Sequence, residues 1–208
     1  MKIYSTTNQV AGENTYYLEN DSHLIIVDPG SDWPVIRAKI EELAKPIAAI
    51  LLTHTHYDHI LSLDLVRENF GFPPVYVAAE EAAWLQDGFY NGLDRHPELP
   101  DMTFQPAEKN FQYTDDYEVA GFHFQVRPTP GHSIGGISII FPKEEFVLSG
   151  DALFRETIGR TDLPTGNLEE LLTGIRKQLF TLPGHYTVYP GHGHATTIAH
   201  ERTFNPFF

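Results

Sequence analysis

The sequence predicts a layered α/β protein, because segments with strand and helix patterns alternate along both halves of the chain. Residues 47–53 form a continuous apolar run, which is typical of a strand buried on both faces. The segment that follows has the spacing of an amphipathic helix. The chain has 208 residues, enough for a single domain over residues 1–208 with a sizeable core.

Each further element is predicted from its apolar spacing and from the turn residues around it. The helix over residues 34–45 has Pro34 in its first turn, where proline is well tolerated. Residues 87–116 are rich in Pro, Asp and Gly and are predicted to be mostly loop. The other predicted strands are residues 15–19, 23–27, 122–127, 136–141, 145–149 and 186–190, and the other predicted helices are residues 59–69, 79–86, 168–180 and 196–203.

Composition argues against several classes of protein. The absence of Cys excludes disulfides, thiolate metal sites and a cysteine nucleophile, and it fits a cytoplasmic location. A formal net charge of −14 makes nucleic acid and anionic membranes poor partners. No apolar run approaches the roughly 18 residues of a membrane span. The N-terminal segment lacks the apolar region of a signal peptide.

The strongest functional signal is the run Thr-His-Thr-His-Tyr-Asp-His at residues 53–59, where the buried strand ends. His54 and His56 are two residues apart and can point to one side of an extended segment. Asp58 and His59 follow the bend and can approach from another direction. Imidazole and carboxylate groups are donors that zinc accepts at about 2.0–2.2 Å. Asp58 alone could be a helix N-cap, but this density of donors favours a metal site.

Three more His or Asp residues follow a glycine at the end of a predicted strand: His132, Asp151 and His192. Turn formation would explain the Pro and Gly residues at these places but not the His or Asp that follows each of them. Two cations need roughly six or seven protein groups and a shared water. One ion would take His54, His56 and His132, and the other Asp58, His59 and His192. Asp151 would bridge them, since a carboxylate has two oxygens.

With these residues the chain resembles the metallo-β-lactamase superfamily, through HxHxDH at residues 54–59 and the ordered His132, Asp151 and His192. This resemblance implies a four-layer αββα sandwich with two metals in a groove at one edge, and the same seven ligands. Residues 150–162 and the C-terminal segment resemble the short bacterial members of the glyoxalase II-like branch. The helical domain that follows the last metal-binding histidine in full-length glyoxalase II is not found after His192. Glutathione as part of the substrate therefore stays open.

The expected activity is hydrolysis of a small-molecule thioester or related acyl ester by a hydroxide that bridges two divalent cations. Zinc is the expected metal, with iron or manganese as alternatives. Asp58 is expected to orient the hydroxide as well as to bind metal. Arg155 and Arg160 are candidates for binding a substrate carboxylate, although surface pairing with Glu156 or Asp162 would explain them equally well.

Other functions remain open on the same sequence. A mononuclear iron persulfide dioxygenase would share much of the motif, and a lactone hydrolase could share all seven ligands. A silent metal-binding protein is a third alternative. Asp28, at the end of a strand, could hold a ligand histidine in place, but an Asp-Pro-Gly turn is the simpler interpretation. His194 and His200 are expected not to bind metal.

Overall fold

The computed structural model describes residues 1–113 and 117–208. The chain divides into two compact units, the first of residues 1–111 and 119–121 and the second of residues 112–118 and 122–208. A single domain over residues 1–208 stays a prediction. Within the described residues, no helix is both long enough and apolar enough to cross a bilayer.

The first unit contains a six-stranded mixed sheet whose strands lie in chain order. They are β1 Lys2–Thr7, β2 Asn14–Glu19, β3 Leu24–Val27, β4 Ile47–Leu51, β5 Val75–Val77 and β6 Lys109–Asn110. The first three strands are antiparallel hairpin neighbours, and β3 to β6 run parallel. Parallel neighbours need crossover connections, which here include helices.

Two helices make these crossovers: α1 Trp33–Leu43 precedes β4, and α2 Leu63–Asn69 precedes β5. Ala44 caps the C-terminus of helix α1. It adopts a left-handed conformation and donates its backbone N–H to the Ile40 carbonyl. Strand and helix residues form one apolar core. Its buried members are Tyr17, Leu24, Ile26, Ile36, Ile40, Ile50, Leu52, Ile60, Leu63, Val66, Val75, Val77, Leu85 and Phe104.

The predicted helix over residues 59–69 is wrong at its N-terminal end. Tyr57–His59 form a 3-10 turn, and the α-helix begins only at Leu63. The backbone N–H groups of His59 and Ile60 bond carbonyls three residues back, at 3.0 and 3.1 Å. This tighter turn lets the chain bend between β4 and α2, so the functional motif lies outside the helix.

Three short helical segments lie between β5 and β6. The predicted helix at residues 79–86 is the 3-10 helix Ala79–Gln86, and it is followed by α3 Gly88–Asn91 and the 3-10 turn Leu93–Arg95. Asp87 caps α3 by accepting hydrogen bonds from the backbone N–H groups of Phe89 and Tyr90. The last two segments lie within the predicted loop over residues 87–116, of which residues 114–116 are outside the described residues.

The second unit also contains a six-stranded mixed sheet and a small hairpin. The strands are β7 Tyr117–Val119, β8 Phe122–Pro128, β9 Ile137–Phe141, β10 Phe146–Gly150, β11 Leu153–Phe154, β12 Thr157–Ile158, β13 Thr187–Pro190 and β14 Thr196–Thr197. The sheet has the order β14, β13, β10, β9, β8, β7, in which β8, β9 and β10 are antiparallel neighbours and β10 and β13 are parallel. The hairpin pairs β11 with β12.

The helices of the second unit are α4 Leu168–Gly174, which continues into a π-turn at Ile175–Leu179, and α5 Ile198–Phe204. Each is capped: the Asn167 side chain accepts from Glu170 N, and Thr197 accepts from His200 N. They pack with the sheet and hairpin around a second core. It comprises Ile140, Val147, Ala152, Leu153, Ile158, Leu171, Ile175, Leu179, Leu182, Tyr186, Val188 and Ile198.

Candidate metal centre

The donor-rich segment of the first unit, residues 53–59, begins two residues after the C-terminal end of the parallel strand β4. Loops at such strand ends often carry functional residues. The imidazole of His54 lies 4.8 Å from that of His56 and 4.2 Å from that of His59, between ring centroids. Asp58 Oδ2 is 3.8 Å from His59 Nε2. All four side chains are buried. The first unit therefore gathers four of the predicted donors in one place.

Asp28 fixes the orientation of two of these imidazoles. Its Oδ2 lies 3.0 Å from His59 Nδ1 and accepts a 2.6 Å hydrogen bond from the Thr53 hydroxyl. The same hydroxyl is 3.2 Å from His54 Nδ1. Because an ionised carboxylate only accepts, His59 carries its proton on Nδ1, and Nε2 is the nitrogen that can donate to a metal. Asp28 is thus more than the turn residue that the sequence favoured.

Glu13 is a second buried carboxylate near His59 that sequence reasoning missed. Its Oε1 is 3.9 Å from His59 Nδ1, and its Oε2 accepts a 2.6 Å hydrogen bond from the Asn8 amide. Gly30 allows this approach, since a Cβ there would lie 2.0 Å from Glu13 Oε2. No local pattern marks Glu13 as a neighbour of the site, because its approach to Gly30 and His59 joins residues far apart in the chain.

Glu81 is a third buried carboxylate that the sequence did not indicate. It lies in the 3-10 helix Ala79–Gln86, and its Oε2 accepts from both the backbone N–H and the hydroxyl of Thr55, at 2.7 and 3.0 Å. Thr55 is the residue between His54 and His56. A pair of adjacent glutamates in a short helix ordinarily indicates a solvated face, and Glu80 is indeed exposed.

The second unit gathers the other three predicted donors. Asp151 Oδ2 lies 3.5 Å from His132 Nε2 and 3.3 Å from His192 Nε2. His132 and Asp151 are almost fully buried, while His192 is more accessible. One carboxylate oxygen is therefore close to two imidazole nitrogens from different parts of the sequence.

His132 is oriented by a backbone group. Its Nδ1 lies 2.8 Å from the carbonyl oxygen of Arg160, so Nδ1 donates and Nε2 is directed toward Asp151. Gly159 packs against the same residues: a Cβ there would lie 1.9 Å from the Asp151 carbonyl oxygen and 3.1 Å from His132 Nδ1. The backbone at residues 159–160 thus supports both donors.

The two candidate substrate-binding arginines are at the surface. The guanidinium of Arg160 makes two 2.7 Å hydrogen bonds to the Asp162 carboxylate. The bonds from Arg160 lower the pKa of Asp162 to about 2. Arg155 Nε is 3.9 Å from Glu156 Oε1. Both arginine side chains are more than half exposed.

The donor atoms in each unit suit a divalent cation. Two ligands about 2.1 Å from one tetrahedral ion lie ~3.4 Å apart, which is the spacing around Asp151 Oδ2. The separation of Asp58 Oδ2 and His59 Nε2 is somewhat wider. His194 is exposed, and His200 Nε2 contacts Glu156 Oε1 at 2.9 Å. Imidazole and carboxylate donors without thiolate fit zinc, iron or manganese.

Comparison with known proteins gives consistent matches. The model of the metallo-beta-lactamase superfamily matches residues 9–192. A probable metallo-hydrolase of Streptococcus pyogenes is 60% identical over 210 residues, covering 100% of this chain and 90% of that protein. The hydroxyacylglutathione hydrolase GloC of Haemophilus influenzae is 32% identical over 190 residues, covering 91% and 89% of the two chains.

Two solved structures match over 99% of this chain. The crystal structure of the B3 metallo-beta-lactamase BLEG-1 has a TM-score of 0.94 and 38% identity, covering 99% of both chains. The crystal structure of TTHA1623 in a di-iron-bound form has a TM-score of 0.82 and 31% identity, covering 99% of this chain and 100% of that one. The likeness thus extends over nearly the whole chain.

Proposed function

Since the chain belongs to the metallo-β-lactamase superfamily, we propose that it hydrolyses small-molecule thioesters or related acyl esters with two bound divalent cations. It is a metallo-hydrolase with the mixed α/β fold of that superfamily, so the family and the fold class predicted from the sequence are confirmed. The relative named hydroxyacylglutathione hydrolase supports the thioester class, because its name describes cleavage of an acylated glutathione.

In this proposal the seven predicted donors would hold two cations. His54, His56 and His132 would hold one ion, Asp58, His59 and His192 would hold the other, and Asp151 would serve both.

The position of Asp151 carries this proposal. Its Oδ2 is close to both His132 Nε2 and His192 Nε2, and these two histidines are assigned to different ions. Only a carboxylate has the oxygen lone pairs to serve both, since an imidazole offers one nitrogen once the other is protonated. The Arg160 carbonyl supports the assignment by keeping the proton of His132 on Nδ1.

When bound, a pair of divalent cations would polarise an acyl carbonyl and lower the pKa of water to about 7. Asp58 orients the attacking water by accepting a hydrogen bond from it, next to His59. Water adds to the acyl carbon, the bond to sulfur or oxygen breaks, and the products are a carboxylic acid and a thiol or alcohol. Arg155 and Arg160 bind a carboxylate on the substrate through their exposed guanidinium groups.

Zinc is the proposed metal, and the chemistry of the donors supports it. Nitrogen and oxygen ligands without thiolate also accept iron, and a similar protein is known in a di-iron-bound form. A cytoplasmic location is proposed from the absence of Cys, and no nucleic-acid partner is proposed for a chain with a net charge of −14.

A substrate panel tests the activity. Metal content and hydrolysis rates are measured for the full chain with short acyl thioesters of glutathione and coenzyme A, simple lactones and a β-lactam. The β-lactam is included because a similar structure is a B3 metallo-beta-lactamase. The proposal predicts two metal ions per chain and the highest kcat/KM on a thioester.

Other results would overturn it in distinguishable ways. The fastest turnover on lactones, or on the β-lactam, would move the enzyme to that substrate class. One iron per chain with oxygen uptake on glutathione persulfide would replace the hydrolase by a dioxygenase. Bound metal without turnover on any of these substrates would indicate a silent binding protein.

A further inference from the structure

The residue between His54 and His56 is held by a buried carboxylate from another part of the first unit. Glu81 Oε2 accepts a 2.7 Å hydrogen bond from Thr55 N and a 3.0 Å bond from Thr55 Oγ1. Neither Glu81 nor Thr55 is exposed to solvent. Two donors on one carboxylate oxygen hold Thr55 at both its backbone and its side chain, and we call this contact the anchor.

The anchor acts on the face of the chain opposite the two imidazoles. Successive side chains of an extended segment point to opposite sides, so His54 and His56 lie on one side and Thr55 on the other. His56 has extended backbone angles, with φ −65° and ψ 147°. By fixing both a backbone and a side-chain atom of Thr55, Glu81 limits rotation of the segment that carries both imidazoles.

We propose that Glu81 is a positioning residue for the metal-binding histidines His54 and His56, acting through Thr55. This inference rests on the proposed function, in which these histidines bind one cation. Glu81 and Asp28 contact different residues of the motif. Glu81 contacts Thr55, whereas Asp28 contacts His59 directly and His54 through the Thr53 hydroxyl. The chain is therefore held on both sides of His54, at Thr53 by Asp28 and at Thr55 by Glu81.

A purely structural role is the competing explanation. Burying a charged group is costly unless it is hydrogen bonded, and the bonds from Thr55 could do no more than satisfy Glu81. The two explanations differ in what they predict for a folded variant. A structural role changes only stability, whereas a positioning role changes the affinity and geometry of the cation bound by the imidazoles.

Four variants of the full chain separate these roles. Glu81→Ala removes the acceptor, and Thr55→Val removes one donor but keeps the backbone N–H. Glu81→Gln keeps an amide oxygen that can accept both bonds, and Thr55→Ser keeps both donors. Glu80→Gln is the matched control, because Glu80 is the exposed neighbour in the same short helix.

Three quantities are measured: the zinc dissociation constant by chelator competition, the d–d absorption of the cobalt-substituted protein, and the Tm of the metal-free protein. We expect Glu81→Ala to weaken zinc binding about 10–100-fold and to alter the cobalt spectrum. Thr55→Val should show the same changes to a smaller extent. Glu81→Gln and Thr55→Ser should retain most of the affinity, and Glu80→Gln should match the wild type.

The inference is overturned if Thr55→Val and folded Glu81→Ala keep the zinc affinity and the cobalt spectrum of the wild type, whatever their Tm. The proposed function would stand in that case. If Glu81→Ala does not fold, Thr55→Val decides. If the wild-type chain binds no metal at all, the proposed function fails and this inference fails with it.

Discussion

The carboxylate of Asp28 lies 3.0 Å from Nδ1 of the His59 imidazole, and both side chains are buried. Asp28 also accepts from the backbone N–H and the hydroxyl of Thr53, at 2.8 and 2.6 Å. One carboxylate at the end of β3 thus holds the residue before His54 and the ring of His59. This contact places the proton of His59 on Nδ1. Nε2 is then the ring nitrogen whose lone pair can bind a metal.

Asp28→Asn should weaken zinc binding about 10–100-fold. An asparagine amide can tolerate the positive φ of 51° at this position, so the backbone is retained. Its NH2 group, however, placed against His59 Nδ1, favours the tautomer protonated on Nε2. Chelator competition measures the affinity, with the exposed Asp21→Asn as control. Equal affinities for the two variants would show that Asp28 does not set the tautomer.

Gly159→Ala should destabilise the chain and reduce its metal content. The added Cβ would lie 1.9 Å from the Asp151 carbonyl oxygen, so the backbone under two donors must shift. Overpacking of this kind costs roughly 1–3 kcal/mol. Gly174→Ala is the matched control, since its Cβ would meet only ordinary contacts at 3.6 Å or more. Denaturant unfolding measures the free energy of unfolding of the two variants. An unchanged free energy of unfolding in Gly159→Ala would contradict the close packing.

The proposed pair of zinc sites predicts that His192→Ala loses one site and that His194→Ala keeps both. His192 Nε2 is 3.3 Å from Asp151 Oδ2, whereas the His194 side chain is exposed. Isothermal titration of the metal-free protein counts the sites. Loss of a site in His194→Ala, with His192→Ala unaffected, would exchange the roles of the two histidines.

Arg160→Ala should raise the pKa of Asp162 from about 2 toward its ordinary value of 3.8, because the hydrogen bond from Arg160 lowers it. Since the folded-state pKa is depressed, the pairing is fully present above about pH 4. It is lost as the pH falls through about 2. NMR titration of the Asp162 carboxyl carbon checks this, with Arg176→Ala as control. An Asp162 that still titrates near 2 in Arg160→Ala would assign the shift to another group.

Sequence patterns predict the elements that depend on local spacing. The buried run at residues 47–53 contains β4, and the donor motif follows it as expected. The helix predicted over residues 168–180 is also present, although its second half is a π-turn after Gly174. The sequence does not predict β1, which is largely polar. It also does not predict the strands of only two or three residues, which are β5, β6, β7, β11, β12 and β14. Short strands acquire their stability from neighbours rather than from their own pattern.

The candidate donors were recognisable because their residue types and their places at strand ends are both visible in the sequence. The residues that orient them were not. Glu81 is 26 residues from Thr55 and Asp28 is 31 residues from His59, so each contact depends on tertiary structure. The Arg160 carbonyl near His132 was equally invisible, because a backbone atom carries no residue-type signal.

The metal content of the wild type beside Asp151→Ala tests the central claim most directly. Both proteins are loaded with excess zinc, freed of unbound metal by gel filtration and measured by elemental analysis, with Asp162→Ala as an exposed carboxylate control. Bridging by Asp151 predicts two zinc ions per chain in the wild type and the control, and fewer than one in Asp151→Ala. An Asp151→Ala protein that keeps two ions and full hydrolase activity would contradict it.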